Sequence, residues 1–289
     1  MKSTLYLAAL LTAGLLIGAC SKDKNIVQVI EPEPNTETPV EQAEPVEMAF
    51  SATITAKESA TKSVNADGVT AWQVDEKIAV YYQKDDDTFA TAEANVDAVE
   101  NGSATISATL TDAKNGTEVK FVYPATLANT TGGISTTTLQ AQHGTIADIS
   151  AHFDAATGTG TLVTDGTTCG TESSVHMSNQ AFIGKFTPKF GGSPIDGITE
   201  LTISDGTYTY TVTPESPATS FGTDGIYVAM LPVNKKPMTI TADTAGKVYY
   251  YSSGSNTITL EVGKLYNNLA IPMIEIHSRT GYGNGLPIN

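Results

Sequence analysis

Two cysteines and four histidines are the residues of this chain best suited to chemistry, and their surroundings give them different uses. Cys20 closes the run Ile17-Gly18-Ala19-Cys20, an aliphatic residue and two small ones ahead of a thiol. That is the form of a lipobox, in which small residues let a peptidase approach the backbone and the cysteine is then acylated. Cys20 is therefore expected to carry lipid, with palmitate among its acyl groups, and to become the mature N-terminus. Cys169 is left without an intramolecular partner, so no disulfide framework forms. It stands in Thr167-Thr168-Cys169-Gly170 with no histidine nearer than His176, which reads as a small buried residue rather than a nucleophile. His143, His152, His176 and His277 lack metal-ligand spacing, and no Gly-x-Ser-x-Gly elbow is present. Gly281-x-Gly283-x-Gly285 lies too near the C-terminus to open a helix over phosphates, and Asp85-Asp86-Asp87 lacks the spaced oxygens and glycine of a calcium loop. Acidic residues are too numerous to single out an acid–base pair. The reading is no catalytic residue, no metal and no cofactor: the chain is not expected to be an enzyme.

The elements that would carry these residues are β-strands behind a leader. Met1 and Lys2 precede an apolar run from Leu5 to Ile17, too short for a stable membrane anchor, and residues 1–19 read as a signal peptide. Residues 20–45 run from Ser21-Lys22-Asp23-Lys24 through Glu31-Pro32-Glu33-Pro34 to Glu44-Pro45, an acidic, proline-rich tether that cannot bury a core. The formal charge is −15, with 31 acidic and 16 basic side chains. Removing residues 1–19 leaves 270 residues at −16, a balance that excludes a nucleic-acid partner, which needs a basic patch. A chain of that length suits two domains.

From Met48 onward apolar residues alternate with polar ones. Phe50, Ala52, Ile54 and Ala56 are interleaved with Ser51, Thr53 and Thr55, and similar runs recur at 78–82, 104–110, 118–123, 201–204, 208–213, 226–231, 238–242, 248–251 and 257–262. Asp67-Gly68, Asn115-Gly116, Asp165-Gly166 and Asp205-Gly206 supply the positive backbone dihedral of tight turns, and Asp205-Gly206 predicts a hairpin. One short helix is expected over 146–153, with Ile146, Ile149 and Phe153 on one face. Trp72, just ahead of an alternating strand, is expected in the core. Pro272 cannot donate to a ladder, so the segment 265–276 should be broken or lie at an edge. The fold class is all-β, with antiparallel sandwiches.

Four motifs then carry a family resemblance over most of the mature chain. Ala71-Trp72-Gln73-Val74-Asp75-Glu76 leads into Lys77-Ile78-Ala79-Val80-Tyr81, and Phe121-Val122-Tyr123-Pro124 follows. Ile226-Tyr227-Val228-Ala229-Met230-Leu231-Pro232 and Glu261-Val262-Gly263-Lys264-Leu265-Tyr266 complete the set. In that order, behind a lipobox, they resemble the fimbrillin family of Bacteroidetes pilus subunits, with Val74 where the family usually has glycine. The resemblance implies two transthyretin-like β-sandwich domains, at 46–175 and 176–289. It also implies a fimbrium subunit exported as an outer-membrane lipoprotein and exposed on the cell surface. In such subunits a trypsin-like protease removes the first strand, and a strand of another pilus subunit fills the groove. Carried over, the removable strand holds Met48, Phe50, Ala52, Ile54 and Ala56. The cleavage position falls on Lys62, with Lys57 as a second candidate, and the donor strand would be sought at Leu265, Leu269, Ile271 and Met273. The alternative is a monomeric or tip-located lipoprotein adhesin that binds a glycan or host protein through exposed aromatics. Tyr249-Tyr250-Tyr251 is the one aromatic run, and strand alternation buries either Tyr250 or its two neighbours.

Overall fold

The computed structural model describes residues 44–56 and 71–276. Cys20, Lys57, Lys62 and His277 lie outside the described residues, as do the leader, most of the tether and the Asp67-Gly68 turn. The described chain is almost all β, with three short helical pieces, the first a 3-10 turn at Ala125–Leu127.

The first region begins with β1 (Glu47–Ala56), β2 (Lys77–Gln83), β3 (Phe89–Glu100), β4 (Ser103–Thr111) and β5 (Glu118–Tyr123). A helical turn, α1 (Thr136–Leu139), and the two-residue β6 (Ala141–Gln142) come next. Then α2 (Ile146–Asp148) runs into a π-helical turn at Ile149–Phe153, on the segment where the helix was expected. Thr145 caps it by accepting the Asp148 N–H, while Ile149 and Phe153 point into the core. β7 (Ala156–Asp165), β8 (Thr168–Thr171) and β9 (Val175–Asn179) follow. Hydrogen-bonded neighbours run β4-β3-β2-β5-β7-β8-β1, and β1 pairs back with β4, so the ladder closes into a seven-strand ring. This differs from separate sandwich sheets in one physical respect: closure removes the edges that two open sheets would have to protect. β8 and β9 are two halves of one interrupted stave. Both are antiparallel to β7 and both are parallel to β1, with Glu172, Ser173 and Ser174 at the interruption. Phe50, Ile54, Trp72, Ile78, Val80, Ile106, Leu110, Phe121, Leu162 and Met177 fill the interior.

The second region contains β10 (Phe182–Phe190), β11 (Ser193–Pro194), β12 (Ile198–Ser204), β13 (Thr209–Val212), β14 (Ile226–Met230), β15 (Val233–Lys236), β16 (Thr239–Thr244), β17 (Val248–Ser252), β18 (Ile258–Leu260), β19 (Leu265–Pro272) and β20 (Ile274–Ile276). One sheet is centred on β10, which takes β14 and β11 antiparallel on one flank and β19 parallel on the other. A six-stranded sheet runs β20-β17-β16-β12-β13-β6. A second buried cluster, including Phe182, Phe186, Leu201, Ile203, Tyr210, Val228 and Ile240, also takes in Ala79, Val122, Leu127 and Ile149 from the first region. Asp205-Gly206 makes the expected hairpin between β12 and β13, with Gly206 at φ +79°. Pro272 ends β19, and after Met273 the chain enters β20, which belongs to the other sheet, so the break falls where proline predicts it.

Candidate functional site

β1 is the element on which the expected chemistry of assembly depends, and alternation explains its form. Met48, Phe50, Ala52 and Ile54 are buried, whereas Glu47, Ala49, Ser51 and Thr53 face solvent. The Phe50 ring lies 6.2 Å from that of Phe121 across the interior. On one flank β1 pairs antiparallel with β4 over nine residue pairs, from Glu47↔Thr111 to Thr55↔Ser103. On the other it meets the interrupted stave, Ala49–Ser51 against β8 and Ile54–Ala56 against β9. Burying Met48, Phe50 and Ile54 contributes roughly 1.5–3 kcal/mol for each side chain. Taken away, the strand would leave an apolar trough with one continuous edge and one broken edge.

Three close contacts set how β1 sits. Gly170 of β8 brings its backbone so near that a Cβ there would stand 2.6 Å from the Ser51 carbonyl oxygen, so only glycine fits. At the leading end, Asp112 donates its N–H to the Val46 carbonyl and accepts the Val46 N–H on its carboxylate. At the trailing end, the Thr55 hydroxyl lies 2.8 Å from His176 Nδ1. Neither Gly170 nor Asp112 carries a sequence signal of its own. An aspartate after an alternating run marks a strand end, and only the fold reveals what it touches.

The residues named as donor candidates share one peripheral stretch. Leu265, Leu269 and Ile271 lie half-buried in β19, which among the described residues pairs only with β10, and Met273 is buried just beyond it. The first and last candidate segments therefore sit in different sheets.

Other residues flagged by type have structural surroundings. Cys169 is buried in β8 opposite Phe50, and burial pushes its thiol up to about 11, which keeps it protonated and unreactive at neutral pH. Trp72 is core, edge-on to Tyr123 with ring centroids 5.5 Å apart. Asp86 accepts the Thr88 side-chain and backbone hydrogen bonds, which lower its pKa, and Asp87 pairs with Lys114. Tyr249 is buried and Tyr251 packs half-buried on the same core, so the tyrosine run offers no open three-ring platform. His143 and His152 line an open cleft of about 490 Å³ with Asp148 and Glu215, where Asp148 is engaged by the His143 N–H.

No protein-family profile matches the chain. No curated protein matches it either. Among solved structures, a fimbrial protein from Bacteroides ovatus overlaps it at 11% identity with a TM-score of 0.33. That overlap covers 78% of this chain but 49% of the other, so this chain spans about half the length of that neighbour. A candidate cell adhesion protein from Bacteroides uniformis overlaps at 13% identity and a TM-score of 0.36, covering 81% of this chain and 96% of that one. For a fimbrial assembly protein from Parabacteroides distasonis the values are 12%, 0.34, 79% and 90%. These three neighbours are fimbrial or cell adhesion proteins.

Proposed function

We propose that the chain is a structural subunit of a cell-surface pilus, supporting adhesion and assembled by protease-triggered strand exchange. It is exported as a lipoprotein, held in the outer membrane by the acyl groups of Cys20, and cut by a trypsin-like protease at Lys62 or Lys57. The observation that carries this reading is β1: a contiguous strand, the first among the described residues, that is paired on both flanks and buries alternate side chains. A cut after it severs one covalent link and turns a whole stave into a replaceable part. Backbone hydrogen bonds along β4, β8 and β9 would then hold an incoming strand, and the places of Met48, Phe50, Ala52 and Ile54 would set its register. The segment with Leu265, Leu269, Ile271 and Met273 is the proposed donor. As an edge strand with half-buried side chains, β19 has less to lose on leaving its sheet than β1 has. In this reading the chain has two transthyretin-like domains that meet near residues 170–180, and the processed protein resides in the fimbrium.

The test is to treat the purified mature chain with a trypsin-like protease, identify the new N-terminus by mass spectrometry, and run the product unboiled on a denaturing gel. Cleavage confined to Lys57 or Lys62, followed by a detergent-resistant ladder, supports the pilus reading. A chain that is cut there and stays monomeric, or resists cutting, overturns it in favour of a lipid-anchored adhesin.

A further inference from the structure

In an antiparallel ladder the two residues of a hydrogen-bonded pair exchange both backbone bonds. Beyond Glu47↔Thr111 the next such pair is Val46 and Asp112, and only half of the exchange is regular. The Asp112 N–H donates to the Val46 carbonyl at 2.8 Å. Its own carbonyl does not answer. A φ of +52° turns that carbonyl aside to accept the Asp85 N–H at 2.8 Å, and the carboxylate takes its place, Oδ1 accepting the Val46 N–H at 2.6 Å. The other carboxylate oxygen lies 3.4 Å from Lys84 Nζ. Thr111, one residue earlier, donates its N–H to the hydroxyl of buried Tyr82 at 2.9 Å, on the side where the β3–β4 ladder has already stopped at Asn95↔Ser107. The end of β4 is thus held from behind by Tyr82, Lys84 and Asp85, and it presents a fixed, charged acceptor to whatever strand lies beside it.

We infer that Asp112 is a positioning residue for the seat of β1: it fixes the register of the occupying strand and demands from it a backbone N–H at the place of Val46. The inference rests on the reading that this seat exchanges strands. The native sequence fits the demand in one register only. A slip of one residue sets Pro45, which has no N–H, against the carboxylate, and turns the apolar face outward. Slipping by two in the same direction keeps the face inward but sets Glu44 opposite Asp112, carboxylate against carboxylate. The reverse slip by two puts Ala52 in the place of Phe50 and Ile54 in the place of Ala52, underfilling one pocket and overfilling the next. The occupant this end selects is an extended segment whose alternating apolar run is preceded by a residue with a free N–H and no acid. A segment with proline at that place is rejected.

The test uses the full chain and amide hydrogen exchange read by mass spectrometry. Asp112→Gly removes the carboxylate while accepting the positive φ, Asp112→Asn keeps an acceptor at the same atom, and Val46→Pro removes the donor. Asp112→Gly and Val46→Pro should each speed exchange of the 48–53 amides by about tenfold, the double variant no further, and Asp112→Asn should return most of the protection. Amides of β12 and β16 should not change. Unchanged 48–53 amides, an equal rise in β12 and β16, or an additive double variant would overturn the inference. Assembly of the protease-cut wild type is scored separately. If it never assembles, the pilus reading fails, while the register role stands or falls on amide exchange alone.

Discussion

The first and last long strands of the described chain, β1 and β19, carry comparable runs of apolar residues and are held in opposite ways. β1 has partners on both flanks and buries Met48, Phe50, Ala52 and Ile54. β19 has β10 on one flank, and Leu265, Leu269 and Ile271 remain half-exposed. The inward alternation of one and the patchier pattern of the other, Leu-Tyr-Asn-Asn-Leu-Ala-Ile-Pro, express the same difference in sequence. Loss of β1 opens a ring, whereas loss of β19 shortens a sheet. Under the proposed strand exchange, that asymmetry would make β1 the seat and β19 the donor.

Four measurements can break or sharpen this contrast. Phe50→Ala should lower stability most, by about 3–5 kcal/mol in denaturant unfolding, because it empties the centre of the seat; a loss near that of an exposed site would mean that β1 does not close the ring. Gly170→Ala should follow at roughly 1–3 kcal/mol, since its Cβ meets the Ser51 carbonyl oxygen. Gly246→Ala, with open space around it, is the matched control and should be close to neutral. Leu269→Ala should cost about 1–2 kcal/mol, less than a fully buried leucine; a cost equal to that of Phe50→Ala would erase the contrast.

A smaller effect than that of Leu269→Ala lies away from both strands, at Asp205. Burial there raises the carboxyl pKa, but hydrogen bonds from the Tyr208 and Thr207 N–H groups and the nearby Lys236 ammonium outweigh it, so the net shift is downward from 3.8. A depressed folded-state pKa means a contribution present above pH 3.8 and lost as pH falls through the lower, folded value. Wild type should therefore exceed Asp205→Asn in stability at neutral pH, and the gap should close below that point. A gap that is constant with pH would assign Asp205 no ionic role.

The sequence made the alternating strands legible because their apolar residues are large. Phe50 and Ile54 mark β1, Phe121 marks β5, Ile226 and Val228 mark β14, and Ile146, Ile149 and Phe153 mark the helical turn. Where small or polar residues do the work, the pattern fades. β3 spends twelve residues on Phe-Ala-Thr-Ala-Glu-Ala-Asn-Val-Asp-Ala-Val-Glu and buries only Ala94 and Val96, so its alternation is carried mostly by alanine and gives a faint signal. β10 is central to its sheet yet carries Gly184 and Pro188, both of which argue against a strand. Gly184 is there because a Cβ would come within 2.7 Å of the Phe186 ring and 2.9 Å of Leu269. The seat itself was half legible. Its apolar floor was written in β1, but the interruption between β8 and β9, the close pass of Gly170 and the hold of Asp112 depend on chain segments far apart in sequence.

The broken stave also bears on mechanics. A load along β1 from its leading end sets the β4 ladder and both parallel ladders in shear, so their hydrogen bonds resist together. A load at Ala56 across the sheet meets only the short β9 ladder and the end of β4 first, then passes the interruption at Glu172–Ser174 before it reaches β8. The same strand is strong as a cable and weak as a zipper.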